Sequence, residues 1–199
     1  MTSVEHPRIV PGSVEERRYQ TAMVQGCLRN NTLVILPTGL GKTVVAVRVA
    51  AEYLSTGKVL VLAPTKPLVD QHRGSFSRTL VDAKIGEMNG NMKPETRAGI
   101  VDSCDVVVST PQSVANDLEA GRYGLEGFSL IIYDEAHRGV GNYAYVRVAR
   151  FCPKGARCIG MTASPGSDTS KIEEVCINLH LRRIDIRSDE DPDVSPYIH

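Results

Sequence analysis

The sequence predicts an α/β fold, a mostly parallel β-sheet with helices on both faces. Apolar runs at 32–37, 58–63, 105–109, 129–133 and 156–161 read as strands buried on both sides. Segments of helical period separate them, at about 15–29, 42–55, 66–80, 94–102, 111–120, 141–150 and 170–179. Strands that alternate with helices imply right-handed crossovers between parallel neighbours. A chain of 199 residues is long enough for one such core and too short for two.

The first strand, Thr32-Leu33-Val34-Ile35, runs into Leu36-Pro37-Thr38-Gly39-Leu40-Gly41-Lys42-Thr43, and the helix Val44-Val45-Ala46-Val47-Arg48-Val49-Ala50 follows. Gly39 and Gly41 let backbone amides close on phosphate oxygens with no side chain in the way, and the helix aims its positive end at them. This pattern predicts that Pro37, Thr38, Gly39, Leu40 and Gly41 wrap a nucleoside triphosphate. Lys42 would reach its β- and γ-phosphates, and the Thr43 hydroxyl would ligate Mg2+.

The second strand, ending at Leu62, leads into Ala63-Pro64-Thr65-Lys66-Pro67. A hydroxyl, a lysine and a helix start there suit a phosphodiester, so Thr65, Lys66 and Pro67 are candidate nucleic-acid contacts. The third, Val106-Val107-Val108-Ser109, leads into Thr110-Pro111-Gln112, where proline at the first helical position and free amides follow the same logic. The fourth, Leu130-Ile131-Ile132-Tyr133, ends in Asp134-Glu135-Ala136-His137. Carboxylates at the C-terminal end of a strand meet ligands in open α/β sheets. Asp134 would hold Mg2+, Glu135 would polarise the attacking water, and His137 would couple the site to neighbouring motifs. The fifth, Ile159-Gly160-Met161, leads into Thr162-Ala163-Ser164-Pro165, whose two hydroxyls would hydrogen-bond the acidic motif and relay the state of the γ-phosphate.

Lys and Arg together number 23 and so do Asp and Glu, so no global basic field advertises a nucleic-acid partner and any such contact must be local. The cysteines Cys27, Cys104, Cys152, Cys158 and Cys176 form no Cys-x-x-Cys pair and are expected to be small buried hydrophobes, without a metal or a disulfide. No apolar signal segment opens the chain and no stretch approaches 18 apolar residues, so a cytoplasmic protein without membrane contact is expected. Residues 1–14 are expected to be a flexible N-terminus, 15–187 a folded domain and 188–199 a loose tail. Tyr143 and Tyr145 read as packing residues rather than as a platform for bases.

The set Pro-Thr-Gly-Leu-Gly-Lys-Thr, Ala-Pro-Thr-Lys-Pro-Leu-Val, Thr-Pro-Gln, Asp-Glu-Ala-His and Thr-Ala-Ser resembles the first RecA-like domain of a superfamily 2 helicase of DEAH-box type. Thr65-Lys66-Pro67-Leu68-Val69, Asp134 to Arg138 with Gly141-Asn142-Tyr143-Ala144-Tyr145, and Thr162-Ala163-Ser164-Pro165-Gly166 are similar to the archaeal Hef and Fanconi anaemia M family over about residues 15–199. The resemblance implies a RecA-like P-loop NTPase fold and an ATP- and Mg2+-dependent translocase on forked or single-stranded DNA, acting in replication-fork repair. Such a protein is nucleoid-associated in an archaeon and nuclear in a eukaryote. By the same resemblance Gln20 would read the adenine edge, with Arg17 or Tyr19 packed near it. No Gln-x-x-Gly-Arg-x-x-Arg stretch follows Ser164, so the arginine finger is expected from a second RecA-like domain outside these residues. Two other classes compete: an RNA translocase resembling the innate immune RNA sensors, and a non-catalytic nucleic-acid-binding module. Intact Lys42, Thr43, Asp134 and Glu135 argue against the latter.

Overall fold

In the computed structural model, which describes residues 1–163 and 168–198, seven parallel strands form one sheet in the order β3-β4-β2-β5-β6-β1-β7. The elements in chain order are α1 (Arg18–Arg29), β1 (Thr32–Ile35), α2 (Lys42–Tyr53), β2 (Lys58–Leu62), α3 (Lys66–Thr79) and β3 (Ile85–Met88). They continue with α4 (Pro94–Ser103), β4 (Val106–Ser109), α5 (Pro111–Glu119), β5 (Phe128–Asp134), α6 (Ala144–Ala149), β6 (Arg157–Thr162), α7 (Thr169–Asn178) and β7 (Arg183–Ile186).

Successive strand side chains point to opposite faces, and both faces are buried. Val34, Val59, Val61, Val106, Val108, Leu130, Ile132, Ile159 and Met161 join α1, α2 and α3 in one core. Their neighbours Leu33, Ile35, Leu60, Leu62, Val107, Ile131, Tyr133 and Cys158 join α4, α5, α6 and α7 in the other. The five expected strands are the five central ones, because only a strand covered on both faces reads as an unbroken apolar run.

The edge strands β3 and β7 were not anticipated. Each is four residues long, and Ile85-Gly86-Glu87-Met88 and Arg183-Ile184-Asp185-Ile186 carry charges in place of a continuous run. Helix α6 starts at Ala144 rather than 141, because Gly141 takes a left-handed φ of 59° that breaks the helix before it begins.

The termini depart from expectation too. Residues 1–14 are packed rather than loose. Val4, Ile9 and Val14 are buried in the first core, and isolated bridges join Ser3 to Glu15 and Ile9 to Leu80. In the tail, Val194 is fully buried, and the Tyr197 ring sits 5.6 Å from that of Tyr19 with the Arg17 guanidinium 4.5 Å above it. Cys27, Cys104 and Cys158 are buried, and the Cys152 and Cys158 sulfurs lie 3.3 Å apart as neighbouring thiols. Among the described residues no helix is long and apolar enough to cross a membrane.

A buried ionic cluster fixes α5 against α4. The Asp117 carboxylate, fully buried, accepts two bonds of 2.8 Å from Arg97, one of 2.6 Å from Arg122 and one of 2.9 Å from Tyr123. Burial alone would raise the Asp117 carboxyl, but these donors outweigh it and hold it below the ordinary carboxylate range. Asp117→Asn leaves the buried Arg97 without its counter-charge and is expected to destabilise the domain by about 3–5 kcal/mol. The depressed carboxyl contributes stability above its unfolded pKa and loses it as pH falls through the folded one. The gap in urea midpoint between wild type and variant should therefore be full at neutral pH and shrink well below the usual carboxylate range. A gap that stays constant across that span would refute the assignment.

Candidate nucleotide site and nucleic-acid edge

The loop after β1 has the backbone that its glycines permit. Gly39 and Gly41 adopt φ of 87° and 91°, the left-handed region that other residues enter at a cost of about 1–2 kcal/mol. A Cβ on Gly39 would meet nothing within 4 Å, whereas one on Gly41 would lie 2.3 Å from the Gln20 amide nitrogen. Gly41 caps α2 with no side-chain acceptor, so the first amides of this twelve-residue helix are free of a protein cap. Lys42, half-buried, donates to the Leu36 carbonyl at 3.2 Å, and among the described residues no carboxylate pairs with it. Exposed amides, a glycine cradle and an unpaired ammonium form a donor set that fits a polyphosphate.

Tyr19 and Gln20 bond to this loop, and Arg17 bonds to Tyr19. Tyr19 is fully buried and donates to the Leu40 carbonyl at 2.8 Å, and Gln20 is 3% exposed and donates to the same carbonyl at 3.1 Å. The Gln20 NH2 group thus donates to the loop itself, and the Tyr19 ring is fully buried beside it. Arg17 donates to Glu15 and to the Tyr19 hydroxyl while lying over Tyr197, an aromatic neighbour that no local pattern around Arg17 announces.

Asp134, the last residue of β5, is held at three points. Its Oδ1 accepts from the Glu135 amide at 2.9 Å, and its Oδ2 lies 2.7 Å from Nε2 of His72 on α3. Its carbonyl lies 2.5 Å from the Tyr145 hydroxyl, which is also 3.1 Å from the Leu62 carbonyl. An ionised carboxylate only accepts, so Nε2 carries the proton of the His72 bond. The Tyr145 ring, fully buried, packs edge-on between Tyr133 and Tyr143, as a packing residue would.

Glu135 sits at φ 50°, ψ 47°, a left-handed conformation that is strained for a residue with a side chain. It turns the chain into a 3-10 turn at Ala136–Arg138, and there His137 Nδ1 lies 3.0 Å from the Thr162 hydroxyl and 3.5 Å from a Glu135 oxygen. Thr162 ends β6, whose carbonyl in turn accepts from Leu36 at the start of the glycine loop. Ala163 follows in a bend, and Ser164 lies outside the described residues.

Along the same edge, Thr65 caps α3 by accepting from Leu68, with Lys66 and Pro67 exposed beside it. Lys66 pairs with Asp70 at 3.2 Å one turn on, an exposed pair of small energetic weight. Thr110 caps α5 with its side chain uncommitted to the cap, Pro111 is buried and Gln112 is exposed. The sheet order puts the β5, β6 and β1 ends together and the β2 and β4 ends beyond them. The expected nucleotide residues and the expected nucleic-acid residues therefore form two adjoining groups on one edge. His72 and Tyr145 are the site residues that sequence reasoning missed. The position of His72 two turns after the Thr65 cap was the available signal, but its partner lies 62 residues away.

Among the described residues no cluster of three or more His, Cys, Asp or Glu can hold a metal alone. A Thr hydroxyl, one carboxylate and phosphate oxygens suit Mg2+, which keeps several waters and rarely occupies an all-protein cage.

Comparison with known proteins identifies the family and the fold. Residues 13–167 match the family model described as type III restriction enzyme, res subunit. The crystal structure of the Pyrococcus furiosus Hef helicase domain is 49% identical and superposes with a TM-score of 0.88, covering 92% of this chain and 41% of that one. A Methanocaldococcus jannaschii protein named as a candidate ATP-dependent RNA helicase is 42% identical over 199 residues, 98% of this chain and 26% of the relative. The ATP-dependent DNA helicase mph1 of Sclerotinia sclerotiorum is 38% identical over 192 residues, 92% of this chain and 16% of the relative. The chain thus spans about a quarter or less of the curated relatives it matches. With the glycine loop, the acidic strand end and six of the seven parallel strands within the matched residues 13–167, this chain belongs to the helicase-domain family of the type III restriction enzyme res subunit and carries a RecA-like fold similar to that of Hef.

Proposed function

We propose that this chain is the first, ATP-binding RecA-like domain of an ATP-dependent DNA helicase that remodels forked or branched DNA. The observation that carries the proposal is the single edge on which the glycine loop, Asp134-Glu135 and the two helix starts at Thr65 and Thr110 converge. Gly39 to Thr43 would bind the triphosphate, Lys42 its β- and γ-phosphates, and Thr43 and Asp134 would hold Mg2+. Bound there, the ion would neutralise charge on the phosphate oxygens. Glu135 would orient and deprotonate the attacking water. The His137–Thr162 contact would report the occupancy of that site to the segment after β6. Thr65, Lys66, Pro67, Thr110, Pro111 and Gln112 would grip the DNA backbone through its phosphates, which positions a strand without reading its sequence. The arginine finger is proposed to come from a second RecA-like domain, a contribution worth ~10³–10⁵ in rate in phosphoryl-transfer enzymes.

The name of the Methanocaldococcus relative supports a second reading, an RNA substrate. Phosphate contacts alone do not separate the two, so forked DNA and double-stranded RNA must be compared directly on a chain that includes the second domain.

Three outcomes are expected of the 199-residue chain. With Mg2+ it should bind nucleotide and show no DNA-stimulated ATP turnover. Stimulated turnover that Glu135→Gln abolishes would mean instead that the site is complete within one domain. DNA affinity should fall steeply and linearly on a log–log plot against salt, with little sequence preference, and sequence-selective binding that survives high salt would contradict phosphate-only contact. Gly41→Ala should cost about 1–2 kcal/mol in denaturant unfolding and weaken nucleotide binding, since it forces an alanine into the left-handed region and pushes Gln20 off Leu40. Unchanged stability and affinity would show that this backbone conformation is not needed.

A further inference from the structure

We infer that His72 is a positioning residue for the Asp134 carboxylate, and the inference rests on the nucleotide site proposed above. His72 and Asp134 are both buried, at 4% and 6% exposure, and their 2.7 Å contact joins α3 to the end of β5. The other carboxylate oxygen is already held by the Glu135 amide, and the main chain at Asp134 by Tyr145. With Oδ2 bonded to His72, the carboxylate is fixed at both oxygens, and a ligand fixed in this way meets an incoming hydrated cation without reorganising.

A packing role alone does not account for a histidine at this position. Nδ1 is buried with no hydrogen-bond partner, so the ring leaves a polar atom unsatisfied. Its edge-on neighbour Phe76, at 6.4 Å between ring centres, shows that this face of α3 accepts an apolar ring that has no such penalty. What the imidazole supplies and a phenyl ring does not is the Nε2–H donor to Asp134. Partners that orient metal-binding groups from outside the coordination sphere are a general feature of such sites, and their loss typically weakens metal affinity 10–100-fold.

The test uses the 199-residue chain and fluorescent N-methylanthraniloyl-ADP, titrated with Mg2+ and in EDTA, with thermal unfolding measured alongside. His72→Phe keeps a ring of similar volume and removes the donor, and His72→Gln keeps an amide donor of comparable reach. The Mg2+ concentration for half-maximal binding should rise roughly 10-fold in His72→Phe, with binding in EDTA unchanged, and His72→Gln should recover most of the loss. Identical Mg2+ dependence in all three proteins would overturn the inference. So would an equal loss of binding in EDTA and in Mg2+, which would mark a purely structural role, and so would failure of both variants to fold. A wild-type chain whose nucleotide binding ignores Mg2+ would instead sink the proposed metal site itself, and the inference with it.

Discussion

Every strand in this sheet runs in the same direction, and the rest of the molecule depends on that constraint. Parallel strands need crossovers, crossovers are helices, and each turn from strand to helix opens at the same edge of the sheet. The glycine loop, the Thr65 and Thr110 helix caps, the Asp134-Glu135 pair and the end of β6 share an edge for this reason. Nothing in the individual motifs would bring them together. Burial of both faces makes the arrangement rigid, since the two cores hold each strand against displacement toward either layer of helices.

The central strands were legible because full burial leaves an unbroken apolar signature, and the loops after them because glycine, proline and capping residues have local reasons to be there. Other features were hidden for physical reasons that differ from case to case. Val4, Ile9 and Val14 stand five residues apart, an interval that matches neither the helical nor the strand period, yet they pack into the first core, where isolated bridges rather than a regular element tether the chain. Edge strands pair on one side and tolerate charge, so β3 and β7 lack the pattern of their neighbours. The bond from Gln20 to the Leu40 carbonyl was hidden as well, because it joins residues 20 apart in the sequence. Long-range pairs such as His72 with Asp134 carry no local periodicity at all.

The acidic motif joins a rigid support to a strained turn. Tyr145 and His72 hold Asp134 from two different elements, one on each side of the sheet. The residue that follows is forced into a left-handed backbone, a conformation that persists only where the surroundings over-determine it. The directions in which Asp134 and Glu135 leave the chain are thereby set by backbone geometry, with the Glu135 amide bonded to the Asp134 carboxylate.

The position of β6 between β1 and β5 fixes the width of the proposed site. Two strand spacings separate the glycine loop from the acidic motif, about 9–10 Å across the sheet. That is room for a phosphate group with a hydrated ion beside it, so the strand order acts as a caliper. Because β6 is bonded on both sides, the caliper has no free edge along which to open. Any change in the distance between loop and carboxylate must come from side chains or from elements outside the sheet.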